Sequence, residues 1–200
     1  MLAARDCWVF DLDGTLTVPN HDFDAIRAEL GIPAGHLILE YLATLTDEAA
    51  APLHARLVEI ERDLAAEVES RDGCRDLLAE LVSAGARLGI LTRNTRENAL
   101  TTLERLDVAD LFAPEDVLGR DDAPPKPDPG GILALLRRWE AGPGRGVMVG
   151  DFRLDLLAGR NAGVHTIHLD VEGAFPWPDL TDLAVRSLPE LLEALTGDRA

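Results

Sequence analysis

The sequence predicts an α/β fold with a doubly wound, mostly parallel sheet and a small α-helical cap inserted after the first strand. Three observations lead to this prediction. Short apolar runs rich in Val and Ile alternate with helical patterns, the runs lack the polar alternation of half-exposed strands, and one long helical stretch interrupts the alternation. Strands that are buried on both faces and separated by helices form parallel sheets covered by helices on both sides.

Four apolar runs are the predicted strands. Each is bounded by Gly, Asp or Pro, residues that end regular structure. The runs are Trp8–Leu12, Leu88–Thr92, Val147–Gly150 and Val164–Leu169. Because each is short and almost free of charge in its interior, we expect all four to lie inside the sheet.

Helical patterns fall between these strands. Asn94, followed by Glu97 three residues later, has the spacing of a capping box and predicts a helix start after the second strand. Gly85 and Gly163 are placed to end two of the helices. The other predicted core helices are Cys74–Ala84, Asp155–Ala162 and Pro189–Leu195.

The segment after the first strand breaks the alternation. It contains the helical patterns Phe23–Leu30 and Glu48–Glu69 and no convincing strand. We therefore predict a helical cap subdomain at residues 19–72, with residues 1–18 and 73–200 forming the catalytic core.

Composition excludes several classes of partner. The chain has 19 Lys and Arg against 36 Asp and Glu, for a net charge of −17, which repels a nucleic-acid backbone. No apolar run approaches the roughly 18 residues of a membrane span, and no signal-peptide pattern precedes the first strand, so the expected location is the cytoplasm. Cys7 and Cys74 are predicted to be reduced packing residues.

Carboxylates follow the first strand. Asp11 and Asp13 stand at its C-terminal end, where open parallel sheets bind ligands, and side chains two apart on an extended strand share a face. Gly14 allows the chain to turn sharply, so that backbone N–H groups could point back at a bound anion. The alternative is a polar strand end with a common Asp-Gly turn.

A second group of residues is suited to a phosphate. Thr92, Arg93 and Asn94 precede a helix N-terminus, whose free N–H groups and dipole favour an anion. Lys126 is the only lysine among 19 basic residues and lies between prolines that restrict its backbone. Its compact ammonium is not interchangeable with a guanidinium, although chance in a lysine-poor chain is the alternative.

Two further carboxylates, Asp151 and Asp155, follow the Val147–Gly150 strand. Four apposed carboxylates repel one another unless a cation lies among them, and a hard divalent ion with oxygen ligands suits such a cluster. Magnesium is therefore the expected metal.

The order of these groups resembles the four motifs of the haloacid dehalogenase superfamily, and the insertion resembles the small cap of its phosphoglycolate phosphatase-like subgroup. Phe152 departs from that pattern, since relatives often have a small hydroxyl residue there. The motifs are Asp11-x-Asp13-x-Thr15, then Thr92, then Lys126, then Gly150-Asp151-x-x-x-Asp155.

The resemblance implies a role for each matched residue. Asp11 would be the nucleophile, and Asp13 the acid that protonates the leaving oxygen and later the base that activates water. Mg²⁺ would be bound by Asp11, the carbonyl of Asp13 and Asp151, with Asp155 in support. The phosphoryl oxygens would be held by Thr92 and Lys126, with Arg93, Asn94 and Gly14 as further candidates.

These roles predict a phosphatase acting on a small phosphorylated metabolite, as a monomer or homodimer. A phosphomutase of the same superfamily, a phospho-receiver domain and an inactive binding protein are the alternatives. The order of the motifs argues against a receiver domain, because here the first acid pair holds the nucleophile and a further acid motif follows the lysine.

Polar residues of the cap are expected to contact the part of the substrate that is not the phosphate. The candidates are His21, Arg27, His36, His54 and Arg56.

Overall fold

Six strands form a single sheet in the structure, a computed structural model that describes residues 2–197. All neighbouring strands run parallel, which confirms the predicted fold class. The strands are β1 (Cys7–Phe10), β2 (Arg87–Leu91), β3 (Val117–Leu118), β4 (Gly146–Gly150), β5 (His165–Leu169) and β6 (Leu183–Val185). Their order across the sheet is β3-β2-β1-β4-β5-β6, which places β1 and β4 side by side in the interior.

Eight α-helices are found in the described part of the chain. Three of them follow β1 and the other five connect or flank the strands. They are α1 (Phe23–Glu29), α2 (Ile38–Leu42), α3 (Asp47–Ala66), α4 (Cys74–Ser83), α5 (Arg96–Arg105), α6 (Gly130–Arg138), α7 (Arg153–Ala162) and α8 (Leu188–Gly197).

Alternate residues of β1 face two different apolar layers. Trp8 and Phe10 pack with residues of α4, α5 and α8, whereas Cys7 and Val9 pack with residues of α6 and α7. Side chains alternate between the faces of a strand, so a strand that is apolar at every position must be covered on both sides. The continuous apolar run in the sequence thus follows from the doubly wound arrangement.

Helices α1, α2 and α3 contribute to a third apolar cluster, which is separate from the two layers of the sheet. Ile26, Leu30, Ile32, Leu42 and Leu57 are its buried members. Because this segment has its own small core, we propose residues 19–72 as a cap subdomain, with the described residues on either side forming the catalytic core.

The two connections between cap and core lie against each other. Thr17 and Ser70 form an isolated antiparallel bridge. The Val18 N–H donates to the Glu69 carbonyl at 2.9 Å, and the Arg71 N–H donates to the Leu16 carbonyl at 2.9 Å. The chain therefore enters and leaves the cap through one short pair of hydrogen-bonded segments, here called the paired connectors (residues 16–18 and 69–71).

Several predicted boundaries were wrong in detail. Strands β3 and β6 and helix α2 were not predicted. Helix α5 begins after Thr95, not after Asn94, because the Thr95 hydroxyl accepts the Asn98 N–H at 3.2 Å. Asn94 is instead buried, and its side-chain oxygen accepts from the Thr95 N–H at 2.7 Å and from the Asn98 amide at 3.0 Å.

Two compositional expectations can be compared with the structure. Cys7 and Cys74 are free thiols and both are buried, as predicted for packing residues. In residues 2–197 the structure contains no helix that combines the length and the apolar character needed to cross a membrane.

Candidate active site

The carboxyl ends of β1 and β4 bring two carboxylates together. Asp11 directly follows β1 and Asp151 directly follows β4, and the register pairs Phe10 with Val149. The Asp11 N–H still donates to the Val149 carbonyl at 2.9 Å, so the two strand ends are held in step. Parallel neighbours that end together place their next residues at one edge of the sheet, where such folds bind ligands.

Lys126 lies beneath these carboxylates with only 3% of its surface exposed. Its ammonium is 2.5 Å from Asp11 Oδ1 and 2.5 Å from Asp155 Oδ1. Burial by itself lowers the pKa of Lys126, but the two carboxylates outweigh it and hold the pKa above its ordinary value. The only lysine of the chain is therefore a charged group fixed between two acids.

Asp11, Asp151 and Asp155 form a compact acidic trio, with one oxygen of each within 4.8 Å of the others. Burial and the charge of Asp11 raise the pKa of Asp151 to about 7, and burial raises the pKa of Asp155 to about 6 despite Lys126. Asp151 and Asp155 are thus costly to ionise at this place. This donor set fits a hard divalent cation, which prefers carboxylate oxygens and offsets their repulsion.

Thr15 links two members of the trio. Its hydroxyl is fully buried and lies 3.2 Å from Asp11 Oδ2 and 3.1 Å from Asp151 Oδ1. Because Lys126 binds Oδ1 of Asp11 and Thr15 contacts Oδ2, both oxygens of this carboxylate are held in place. The sequence showed Thr15 as part of a motif but did not indicate this positioning role.

Gly14 was expected to help direct backbone N–H groups at a bound anion, but the structure shows a different reason for a glycine at this position. Its N–H donates to the Thr17 hydroxyl at 3.0 Å, so this donor is occupied within the loop. The residue has a φ of +90°, and an added Cβ would lie 2.6 Å from Asp151 Oδ2. The position therefore needs the absence of a side chain, because Asp151 occupies that space.

Thr92 and Asn94 surround the second acid. The Thr92 hydroxyl lies 3.3 Å from Asp13 Oδ2 and accepts the Asn94 N–H at 3.0 Å. Burial is the main cause that raises the pKa of Asp13; the nearby Asp11 also raises it, and His21 lowers it. Asp13 thus lies close to Asp11 and next to the end of β2.

Arg93 differs from its two neighbours because it reaches toward the cap. One of its terminal nitrogens lies 2.7 Å from each carboxylate oxygen of Glu40 on α2. The sequence placed Arg93 among the phosphate candidates, but in the structure its guanidinium joins the core to the cap. In a chain with 36 acids, nothing in the sequence singles out Glu40 as its partner.

Arg71 was also not predicted. It stands in the second of the paired connectors, and its guanidinium donates to the carbonyls of Gly14 and Thr15, the latter at 3.1 Å. These carbonyls belong to the turn that carries Asp13. Arg71 therefore ties the end of the cap to this turn.

A second link between cap and core is largely buried. Glu61 on α3 pairs with Arg120, which follows β3, and their side chains are only 11% and 10% exposed. Burial raises the pKa of Glu61 to about 7, although Arg120 lowers it. Arg120 Nε and Nη1 have no hydrogen-bond partner among the described residues. Burying this ion pair therefore costs desolvation free energy, and removing only one of its partners should lower the stability of the fold further.

We expect Arg120→Met to lower the free energy of unfolding by roughly 3 kcal/mol near pH 8.5, because it leaves the Glu61 carboxylate buried without a partner. Near pH 5.5 the loss should be smaller, since the pKa of Glu61 lies well above 4.5 in the folded chain and the isolated carboxyl then takes up a proton. Urea denaturation at both pH values measures the difference.

Two further variants control this prediction. Arg62→Met removes a cap arginine that is 67% exposed and pairs with its neighbour Asp63, so it should change stability little. Glu61→Leu combined with Arg120→Met should recover much of the loss, because it removes both charges. Equal destabilisation at the two pH values would contradict a buried, titrating Glu61.

A cavity of about 400 Å³ lies between cap and core, directly over these acids. Of the polar cap candidates, His21 and Arg27 line this cavity. His54 is exposed, Arg56 pairs with acids of the cap, and His36 contacts the Ala34 carbonyl. Eight of the site residues predicted from the sequence also line the cavity. They are Asp11, Asp13, Thr92, Arg93, Asn94, Lys126, Asp151 and Asp155.

Comparison with known proteins shows what this chain is similar to. A Caulobacter vibrioides phosphoglycolate phosphatase is 30% identical over 179 residues, which cover 78% of this chain and 75% of that protein. An Arabidopsis thaliana haloacid dehalogenase-like hydrolase domain-containing protein is 30% identical over 205 residues, covering 94% and 82%. The structure of a hydrolase from Pseudomonas syringae superimposes with a TM-score of 0.77 at 23% identity, covering 96% and 99%.

The family assignment rests on a match to a family model. The model of the haloacid dehalogenase-like hydrolase family matches residues 19–169, three quarters of the chain. This range includes Thr92, Lys126 and the acids after β4, while Asp11 and Asp13 precede it. The chain belongs to the haloacid dehalogenase-like hydrolase family.

Proposed function

We propose that the protein is a magnesium-dependent phosphatase that hydrolyses a phosphomonoester through an aspartyl-phosphate on Asp11. The carrying observation is the Asp11 carboxylate, whose two oxygens are fixed by Lys126 and Thr15 at the floor of the cavity. Asp13, whose pKa is raised, lies beside it. The phosphoglycolate phosphatase of Caulobacter vibrioides, 30% identical, supports the same class of reaction.

In the first half of the reaction, an oxygen of Asp11 attacks phosphorus while the bond from phosphorus to the ester oxygen breaks. Asp13 gives its proton to the leaving oxygen, so the alcohol departs neutral. In the second half, Asp13 takes a proton from water, and that water attacks phosphorus. Inorganic phosphate leaves and the Asp11 carboxylate is restored.

The charge of the transferring group is offset by groups already fixed in the site. Lys126 is charged and cannot turn away, because Asp11 and Asp155 hold it on two sides. The Thr92 hydroxyl is within reach of Asp13 and is positioned to donate to a phosphoryl oxygen, with Asn94 beside it. Fixed donors and charges of this kind supply most of the acceleration in phosphoryl transfer.

The residues that would hold Mg²⁺ are Asp11, Asp151 and the backbone carbonyl of Asp13, with Asp155 in support through Lys126. When bound, the ion would offset the negative charge of the phosphoryl group as it is transferred. The acidic trio supports this part of the proposal, because its three carboxylates are close together and the pKa values of Asp151 and Asp155 are raised.

Release of phosphate from a generic aryl phosphate in the presence of MgCl₂ tests the proposed function directly. We expect turnover that stops on chelation with EDTA and returns when Mg²⁺ is added. Magnesium-independent turnover would contradict the proposed cofactor, and no turnover with any phosphomonoester would contradict the proposed function.

Asp151→Asn should separate metal binding from folding. Without Mg²⁺, we expect this variant to melt at a higher temperature than the wild type, because one of three repelling carboxylates is gone. It should also bind Mg²⁺ at least about tenfold more weakly by calorimetry, having lost a charged ligand. Asp179→Asn, at an exposed position, is the control and should match the wild type in both measurements. Unchanged Mg²⁺ affinity in Asp151→Asn would remove Asp151 from the ligand set.

A further inference from the structure

The cap side of the cavity has an apolar wall. Its residues come from α1, from α2 with the turn before it, and from α3, and they face the acids of the core across the cavity. They are Phe23, Ile26, Leu37, Ile38, Leu39 and Leu57. A wall of this kind gains nothing from a sugar or a short hydroxy acid, whose hydroxyl and carboxylate groups would lose hydration without finding partners.

Apolar side chains also surround the mouth of the cavity. Phe23 is 53% exposed, Leu37 is 41% exposed and Phe152 is 46% exposed, and all three line the cavity. Phe152 is held there by an edge contact with Trp177, at 5.6 Å between ring centroids. Exposed apolar groups gathered at one opening indicate a surface that an apolar ligand covers.

The cations that face the cavity above the catalytic acids are already paired. Arg27 lies 2.6 Å from Asp24, and Arg93 lies 2.7 Å from Glu40. His21 stacks on Phe23 at 5.4 Å between ring centroids. Among the cavity-lining residues that the structure describes, Lys126 is the remaining cation, and it belongs to the phosphoryl site. Apart from Arg27 Nε, which has no hydrogen-bond partner among the described residues, the two arginines that line the cavity above the acids thus have acidic partners within the cap.

From this wall, this mouth and these paired charges we infer that the substrates are phosphomonoesters of uncharged, apolar alcohols or phenols, whose hydrocarbon part lies against the cap. The inference rests on the proposed phosphatase function and names its substrate class. It also sets this chain apart from the phosphoglycolate phosphatase to which it is similar, because phosphoglycolate carries a carboxylate in place of a hydrocarbon group.

A homologous series of linear alkyl phosphates, from ethyl to hexyl, measures this preference, with phenyl phosphate and phosphoglycolate for comparison. Each methylene that moves from water to the cap wall should raise kcat/KM by about fourfold. Phenyl phosphate should be a good substrate, and phosphoglycolate should be the poorest ester of the set.

Variants of the wall localise the effect. Leu37→Ser and Phe23→Ser should each lower the ratio of kcat/KM for hexyl over ethyl phosphate by about fivefold or more, since each removes part of the apolar surface. Val58→Ser is the matched control, because Val58 is 39% exposed and lies on α3 outside the cavity lining. We expect its ratio to equal that of the wild type.

The outcomes are distinguishable. A ratio that rises along the series and falls in the two wall variants but not in the control supports the inference. A flat series, or phosphoglycolate as the best substrate, overturns the inference and leaves the phosphatase function standing. No phosphate release from any ester in the presence of Mg²⁺ removes the proposed function and this inference with it.

Discussion

Asp11→Asn is expected to lower kcat for phosphate release by roughly 10⁴-fold or more, as found when the nucleophile of a covalent mechanism is removed. The amide is a far weaker nucleophile than the carboxylate and also loses the charge that pairs with Lys126. The fold should survive, because the two side chains are nearly equal in size and Lys126 keeps Asp155 as a partner at 2.5 Å. Phosphate release and thermal melting measure the two effects.

The control for this variant is Asp121→Asn, at an exposed position in the loop before Lys126. It makes the same chemical change outside the acidic trio and should leave kcat unaltered. Incubation with a phosphomonoester followed by acid quenching should also trap phosphate on the wild-type protein but not on Asp11→Asn. Near-normal turnover by Asp11→Asn would rule out Asp11 as the nucleophile.

Lys126→Arg should lower kcat by roughly 100-fold or more, the scale found when one fixed donor to a transition state is lost. The charge is kept, but Lys126 is 3% exposed and reaches two carboxylates at 2.5 Å, which leaves no room for a planar guanidinium. The larger group should push Asp11 or Asp155 out of position. Initial rates over a range of substrate concentrations separate kcat from KM.

Arg137→Lys is the reciprocal control, since Arg137 is exposed on α6 and the exchange there should change neither kcat nor melting temperature. If Lys126→Arg melts like the wild type and is equally active, the site does not need an ammonium. In that case the single lysine of the chain would be an accident of composition.

The sheet could be predicted where strands were long and buried on both faces. The runs that became β1, β2, β4 and β5 are buried at nearly every position because layers of helices cover both sides. Strand β3 has only two residues and β6 only three, too few to show any periodicity. Their pairing with β2 and β5 is set by the sheet that is already there, and not by local preference.

The candidate site also has residues that the sequence predicted and contacts that it did not. The candidate residues Asp11, Asp13, Thr92, Lys126 and Asp151 stand at strand ends or in short restricted loops, so their convergence follows from the topology of a parallel sheet. Their roles remain predictions until tested. No pattern in the sequence indicated the contacts between cap and core, which join Arg93 to Glu40, Arg120 to Glu61 and Arg71 to the loop of Gly14.

Those long-range contacts were missed for a physical reason. Each joins positions that are 53 to 59 residues apart, and each uses side chains that are abundant on the surface of so acidic a protein. The docking of α2 and α3 over the carboxyl edge of the sheet makes the first two pairs neighbours, and the paired connectors bring Arg71 to Gly14. The apolar cap wall was hidden in the same manner, because its residues follow ordinary helical spacing.

The paired connectors also constrain how substrate can enter and product can leave. Two adjacent antiparallel segments that share hydrogen bonds resist twisting and sideways sliding more than bending across their common axis. If the cap rotates to open the cavity, the paired connectors are the chain segments about which it would turn. The Arg71 guanidinium donates to the Gly14 and Thr15 carbonyls from the second connector. A rotation of the cap about the connectors would therefore also displace the turn that carries Asp13.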